Sequence, residues 1–442
     1  MMQRLVIAST DFNRRELHSS GRGWARNPLS NRLFIVAGLI VAATAWVIIV
    51  GIFVDPYGAG ASNMRILRFG MAIVFCVGVP LTLFVNPRPW STAFFRFLAL
   101  VAFVAVVNVL ASSNPLMTSA LWLGLALSWV CWYQMSNRVG PMEFSWLVRI
   151  FGVGILVIAV AIATIYSHEL GTASQRMQSL SFYCGALFFV AMVYQRMAVR
   201  LTLAGIAVFG LFASSSRGAV LCVFIGIIAG LVAYRRPSIR LLMSCLAIVS
   251  AMIVGYRPVV EFTTHFFGRK ISEGRDASAV EALNRSASDR FHLAQRTINL
   301  MWRNPLGLGL GEKYMAGDSV EDSGAFYTPH NGILSTGLET GLPGYCICGL
   351  LVFRSLYGLR RLRWRYAGLR AKLVAFIVFI TSRSLMENYF ILNAGNLVVF
   401  CFMLIMLYFA FGFKRGAGVR LGGGRAQAVM RRGGPQQWAS RA

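Results

Sequence analysis

The sequence predicts an all-α integral membrane protein of about twelve spanning helices, with one large loop, itself containing helix, between spans nine and ten. Three observations predict it. Hydrophobic residues make up 57% of the 442-residue chain and charged residues 13%, against about 45–50% and about 25% in soluble domains. The apolar residues fall in runs long enough to cross a bilayer, which takes roughly 20 residues per helix. The stretch 256–329 is the exception, with 74 residues but 9 of the 16 acids.

Taken in order, a basic tail covers 1–32 and the first nine spans occupy 33–255, at 33–54, 69–85, 92–111, 115–133, 146–166, 179–195, 199–213, 218–234 and 240–255. The loop 256–329 follows. Spans ten to twelve occupy 330–413, at 330–353, 373–390 and 393–413, and a basic tail closes the chain at 414–442. The first basic region and the first apolar run are both too long for a cleavable signal peptide. From Gly416 the tail is rich in Gly and Arg, a composition that predicts disorder.

The formal net charge of +27 is a topology signal rather than a nucleic-acid footprint, because the cations are segregated. They cluster before span one, at Arg235, Arg236 and Arg240, from Arg354 to Lys372, and after Lys414. Twelve spans put all four clusters on one side, the cytoplasmic one by the positive-inside rule. The large loop falls on the opposite side, where 9 basic residues balance 9 acids. The basic excess also favours contact with anionic membrane lipid. No nucleic-acid partner is expected.

All eight cysteines lie in predicted spans, so no disulfide framework is expected in the loop. Cys346-x-Cys348 reads as lipid-facing or packing residues. No fixed-period repeat and no inverted pair of broken helices is visible, which weighs against a secondary transporter.

Within the loop, Ser286-x-x-Asp289 has the capping-box pattern, and residues 290–303 read as an amphipathic helix. Phe291, Ala294, Ile298 and Met301 recur at helical spacing. Asn304-Pro305 ends the helix, and Gly307, Gly309 and Gly311 predict a flexible return. The acidic, Gly-rich stretch to Pro329 reads as a mobile arm.

Candidate chemistry gathers on the loop side. His330 follows Pro329 at the start of span ten, where the positive end of the helix dipole disfavours the imidazolium. A neutral imidazole is what a general base requires, and the same helix end can hold a phosphate. The alternative is a histidine anchoring the helix at the interface. Arg217, in Ser214-Ser215-Ser216-Arg217-Gly218, lies between closely joined spans, where an arginine marks a functional site by default; snorkelling to the headgroups is the alternative. Arg383 and Glu387 stand four residues apart and either pair with each other or belong to the site. Glu339, beside the break-prone Gly341-Leu-Pro343-Gly344, reads as a buried acid holding an arginine. The histidines His265, His292 and His330 lack ligand spacing, so neither a metal nor another cofactor is expected. Arginines converging with one neutral histidine call for a lipid-borne diphosphate and an acceptor hydroxyl.

At these residues the chain resembles the O-antigen ligase and polysaccharide polymerase superfamily of bacterial membrane glycosyltransferases, most of all an O-antigen ligase. The resemblance lies in Ser216-Arg217-Gly218-Ala219, in Arg290 with Trp302 and Asn304-Pro305-Leu-Gly307-Leu-Gly309-Leu-Gly311, and in Pro329-His330-Asn331 followed by Glu339-Thr-Gly341-Leu-Pro-Gly344. It covers about 214–344.

It implies an inner-membrane enzyme with its site facing the periplasm. The reaction would be a metal-independent, inverting transfer of glycan from undecaprenyl diphosphate to a sugar hydroxyl of the lipid A-core, in lipopolysaccharide biosynthesis. Arg217 and Arg290 would hold the diphosphate, His330 would activate or orient the acceptor, and Asn331, Glu339, Arg383 and Glu387 would support them. A polymerase would use a second lipid-linked glycan as acceptor. A transporter would need charged residues along a path through mid-membrane, and most spans have none.

Overall fold

A computed structural model describes residues 28–54, 91–137, 139, 141–167, 170, 175–214, 216–234, 294–310, 331–362, 367–386 and 397–412, with isolated positions between 74 and 82. Every regular element among them is helical. They comprise α1 (Pro28–Val54), α2 (Thr92–Ala111), α3 (Pro115–Ser136), α4 (Pro141–Ile165), α5 (Gln175–Ala191), α6 (Met197–Ala213), α7 (Arg217–Tyr234), α8 (294–303), α9 (Gly332–Arg360), α10 (Ala367–Met386) and α11 (Leu397–Leu407). The last turns of α11 widen into a π-helix over Tyr408–Gly412.

Helices α2, α3 and α9 and the 144–165 stretch of α4 are long and apolar enough to cross a membrane, and shorter apolar helices accompany them. Predicted spans at 33–54, 92–111, 115–133, 146–166, 179–195, 199–213, 218–234, 330–353, 373–390 and 393–413 each fall on a helix, with ends displaced by a few residues. The span predicted at 240–255 and most of the one at 69–85 lie outside the described residues, as do residues 1–27, the C-terminal tail and most of the loop.

Each helix shows why its sequence suits the bundle. On α2 the buried residues Phe94, Phe97, Val101, Val104 and Asn108 make one stripe, while Phe95, Phe103, Val106 and Leu110 face outward. That is an apolar helix with a protein face and a lipid face. Its start is capped by Ser91, and α3 starts on Asn114 with Pro115 in its first turn.

Helix α11 is buried on all sides, all eleven residues of it. It packs against α1, α3, α4, α9 and α10, so the last described helix is the central post of the bundle. An all-round apolar helix belongs at such a place.

The most extensive helix pair is α7 with α10. Gly226 and Gly230 of α7 sit over Ala371 and Ala375 of α10. A methyl group at Gly230 would stand 2.9 Å from the Ala371 carbonyl oxygen, and one at Gly226 2.8 Å from that of Ala375. Small residues four apart on both partners let the backbones approach, which is how helices gain dispersion contacts in lipid.

Hydrogen bonds between distant helices sort into two levels. At one end, Arg149 reaches Val193 O, Arg370 reaches Ala233 O, Arg354 reaches Ala410 O and Tyr408 reaches Val139 O. At the other, Arg383 reaches Ser181 and Ser216, and Asn108 reaches Leu306 and Glu339. These pairings fit the up-and-down alternation that charge segregation predicts. The loop helix α8 lies at the second end.

Candidate functional site

Two clusters build the end of the bundle where the predicted site residues fall. The first surrounds the turn between α6 and α7. Arg217 is the first residue of α7, and the Val220 amide bonds back to Ser216 O to start the helix. The Arg217 side chain lies outside the described set. Arg383, near the end of α10, is 1% exposed, and its Nη2 donates to Ser181 Oγ at 3.1 Å and Ser216 Oγ at 3.4 Å. It thereby ties α5, α10 and the residue next to Arg217 together. The Arg383 guanidinium thus lies at the positive N-terminal end of α7.

The second cluster surrounds a break in α9. Asn331 caps this helix from an extended backbone (φ −149°, ψ 104°), its Oδ1 accepting from the Ile333 and Leu334 amides at 3.1 and 3.0 Å. Two donors that were expected to be open to a phosphate at this helix end are therefore engaged by the cap. Ten residues on from Asn331, Gly341 has φ 71° and ψ −176°, and the helix kinks ahead of Pro343. Pro343 removes a backbone donor and crowds the preceding turn, while a positive φ suits a residue without Cβ.

The kink is filled by the return loop that follows α8. Leu308 and Gly309 donate to Leu338 O and Glu339 O at 2.9 and 3.0 Å, and Leu342 donates to Pro305 O at 2.9 Å. Gly307 (φ 84°) and Gly341 lie face to face: a Cβ on Gly341 would stand 2.4 Å from Pro305 O, and one on Gly307 2.5 Å from the Gly341 nitrogen. The expected flexible return is instead, through Leu310, a docked loop whose carbonyls and amides complete the broken helix. Gly311 and the rest of the predicted arm lie outside the described residues.

Asn108 of α2 fastens this junction. Its Nδ2 donates to Leu306 O at 3.1 Å and Glu339 O at 2.9 Å, and its Oδ1 accepts from Trp122 Nε1 at 2.9 Å and the Leu310 amide at 3.1 Å. The carboxamide is saturated, and its side chain is fully buried. Sequence reasoning missed it. The signal was an asparagine in the last turn of a predicted span, the kind of residue that bonds across helices in a membrane.

Glu339 is half-buried rather than buried, and its Oε1 accepts from Ser335 Oγ at 3.1 Å. Helix α8 turns inward a stripe that agrees with its predicted spacing at Ala294 and Met301 and departs from it at Ile298. Thr297 is buried and Ala294 and Met301 are half-buried, whereas Ile298 is exposed. A methyl on Gly337 would meet Met301 Cε, so α8 lies on the first segment of α9. Gly337 leaves the room that Met301 occupies, which a periodicity count cannot register. Cys346 is exposed and Cys348 buried, so both readings of that pair hold, one for each residue.

Arg290, His330 and Glu387 lie outside the described residues. The described chain resumes four residues after Arg290 and one after His330. Helices α7 and α9 thus begin, and α10 ends, at one end of the bundle.

Residues 201–349 match the family described as O-antigen ligase. No curated protein and no solved structure matches the chain. The matched region runs from α6 to the middle of α9 and contains both clusters except Asn108, Trp122, Ser181 and Arg383. Over this region the chain is similar to the O-antigen ligase family.

Proposed function

We propose that this chain, a member of the O-antigen ligase superfamily by its residues 201–349, is an O-antigen ligase of the bacterial inner membrane. It transfers glycan from undecaprenyl diphosphate to a sugar hydroxyl of the lipid A-core at the periplasmic face. The observation that carries this reading is the placing of Ser216-Arg217 at the start of α7, braced by the buried Arg383, inside the family region.

In this mechanism Arg217 and Arg290 bind the diphosphate and stabilise it as it leaves. Arginine's planar fork matches phosphate oxygens in pairs, and in a site of low dielectric such donors act strongly on developing charge. Glycosyl diphosphate is already a good leaving group, so charge stabilisation is the larger contribution. Base catalysis by His330, which takes or orients the acceptor proton, is the smaller one. Asn331 holds the start of α9 and so fixes the backbone next to His330. Arg383 acts as a positioning residue through Ser216, and Glu339 holds the break of α9 through its backbone carbonyl. Glu387 belongs to the same supporting set.

Deletion of the gene, with gel analysis of the surface glycolipids, tests the reading. Lipid A-core without a long-chain ladder supports the ligase. Core bearing single repeat units would replace it with a polymerase, and an unchanged ladder would remove both.

A further inference from the structure

A second group of charges lies at the opposite end of the bundle and has no part in the transfer reaction. Arg149, in the third turn of α4, is buried. Its Nε and Nη2 donate to Val193 O at 3.2 and 3.0 Å, in the turn between α5 and α6. The guanidinium lies 4.7 Å from the Trp146 ring centre and 5.7 Å from that of Tyr194, and the Tyr194 hydroxyl donates to Arg149 O at 2.9 Å. The start of α4 is thus stitched to the α5–α6 turn. Arg196 precedes α6 and Arg200 sits one turn later, its amide bonded to Arg196 O. Lys372 of α10 stands close enough to Arg200 and Arg149 for both charges to act on it.

Cations from three helices and one turn therefore converge. Arg149 is buried, Arg200 and Lys372 are half-buried, and Arg196 is exposed. Glu339, the one acid whose side chain is described, lies at the other end. Glu143, in the first turn of α4, is a single acid in sequence against these four cations. Charges that only set topology serve equally well exposed in a loop. Drawing them into packed helix ends incurs desolvation and mutual repulsion, and a bound anion offsets both.

We propose that the α5–α6 turn, with Arg149, Arg200 and Lys372 around it, binds the phosphate of an anionic phospholipid in the leaflet on the basic side of the membrane. Two N–H groups of Arg149 hold Val193 O, and its others are free for phosphate oxygens, with the Lys372 ammonium supplying a point charge. The carrier of that phosphate is a lipid because apolar helix faces begin beside the cations. Trp146, Val153 and Val157 of α4 and Met197 and Leu201 of α6 all face outward. Aromatic residues next to cations at a helix end mark a headgroup level. The site stands independently of the transferase reading.

The test uses the full chain, purified in detergent and stripped of lipid, titrated with phosphatidylglycerol, with zwitterionic phosphatidylethanolamine and with inorganic phosphate, and read by native mass spectrometry. Phosphatidylglycerol binds and the other two do not. Arg200→Gln with Lys372→Gln, neither of which breaks an interhelical hydrogen bond, weakens it about 30-fold, at about fivefold per cation. Equal binding of the two lipids, full competition by inorganic phosphate, or an unaffected double variant overturns the proposal. Should the double variant not fold, the melting temperature of the unaltered protein decides. It rises with phosphatidylglycerol and not with phosphatidylethanolamine, and an equal rise with both overturns the site.

Discussion

Replacing Asn108 by alanine tests whether the return loop is held by α2. The substitution leaves Trp122 Nε1 and the Leu310 amide without their acceptor and Leu306 O without its donor, while Glu339 O keeps the Gly309 amide. Four bonds at the ~0.6 kcal/mol average for side-chain bonds within membrane proteins give about 2.4 kcal/mol. Two buried groups, Trp122 Nε1 and the Leu310 amide, left unpaired at ~1 kcal/mol each, the low end of that penalty, give about 2 kcal/mol. Both routes correspond to roughly 30- to 60-fold more frequent local opening.

Hydrogen exchange measured by mass spectrometry on the purified protein reads this directly. Peptides covering 306–310 and 338–342 exchange faster by that factor, because the Leu308, Gly309, Leu310 and Leu342 amides are the ones bonded across the junction. Trp122→Phe removes one bond and gives roughly a threefold change in the same peptides. Unchanged exchange there, or acceleration spread evenly over the chain, would refute the local clamp.

Other substitutions probe the neighbouring contacts. Gly341→Ala puts a Cβ at a φ of 71° against Pro305 O and lowers stability by about 3 kcal/mol or more in thermal melts; Gly349→Ala, where a Cβ meets nothing within 4 Å, leaves the melt unchanged. Gly230→Val forces α7 away from Ala371 O and costs about 2–4 kcal/mol by the same measurement. Arg383→Gln removes the charge that bonds Ser181 and Ser216; in transfer kinetics it raises KM for the lipid-linked donor about tenfold or more, and an unchanged KM removes Arg383 from its positioning role.

Helix positions were legible because they follow from a local quantity, the length of each apolar run. The start of α9 was legible too: the sequence put it at His330, and Asn331 caps the helix one residue on. Less legible was anything joining residues far apart in the chain. Gly307 and Gly341 each carried a turn or break signal, but nothing local says that the two face each other. Asn108 lies 198 residues before Leu306, its bonding partner, and its carboxamide makes sense only once both loop and kink are present. Arg383 was expected to pair with Glu387 or to serve the site, and its bonds to Ser181 and Ser216 place it against the residue before Arg217. The central position of α11 left one mark, the absence of any polar residue from Leu397 to Leu407.

Transfer by the purified protein tests the central claim most directly. Supplied with undecaprenyl diphosphate-linked glycan and lipid A-core in detergent, the unaltered chain forms the joined glycolipid without added metal. Arg217→Ala and Arg290→Ala each abolish product, Arg217→Lys restores part of it, and His330→Ala slows turnover by about 10²–10⁴-fold. Full activity of Arg217→Ala under the same conditions, or no product from the unaltered chain, would contradict it.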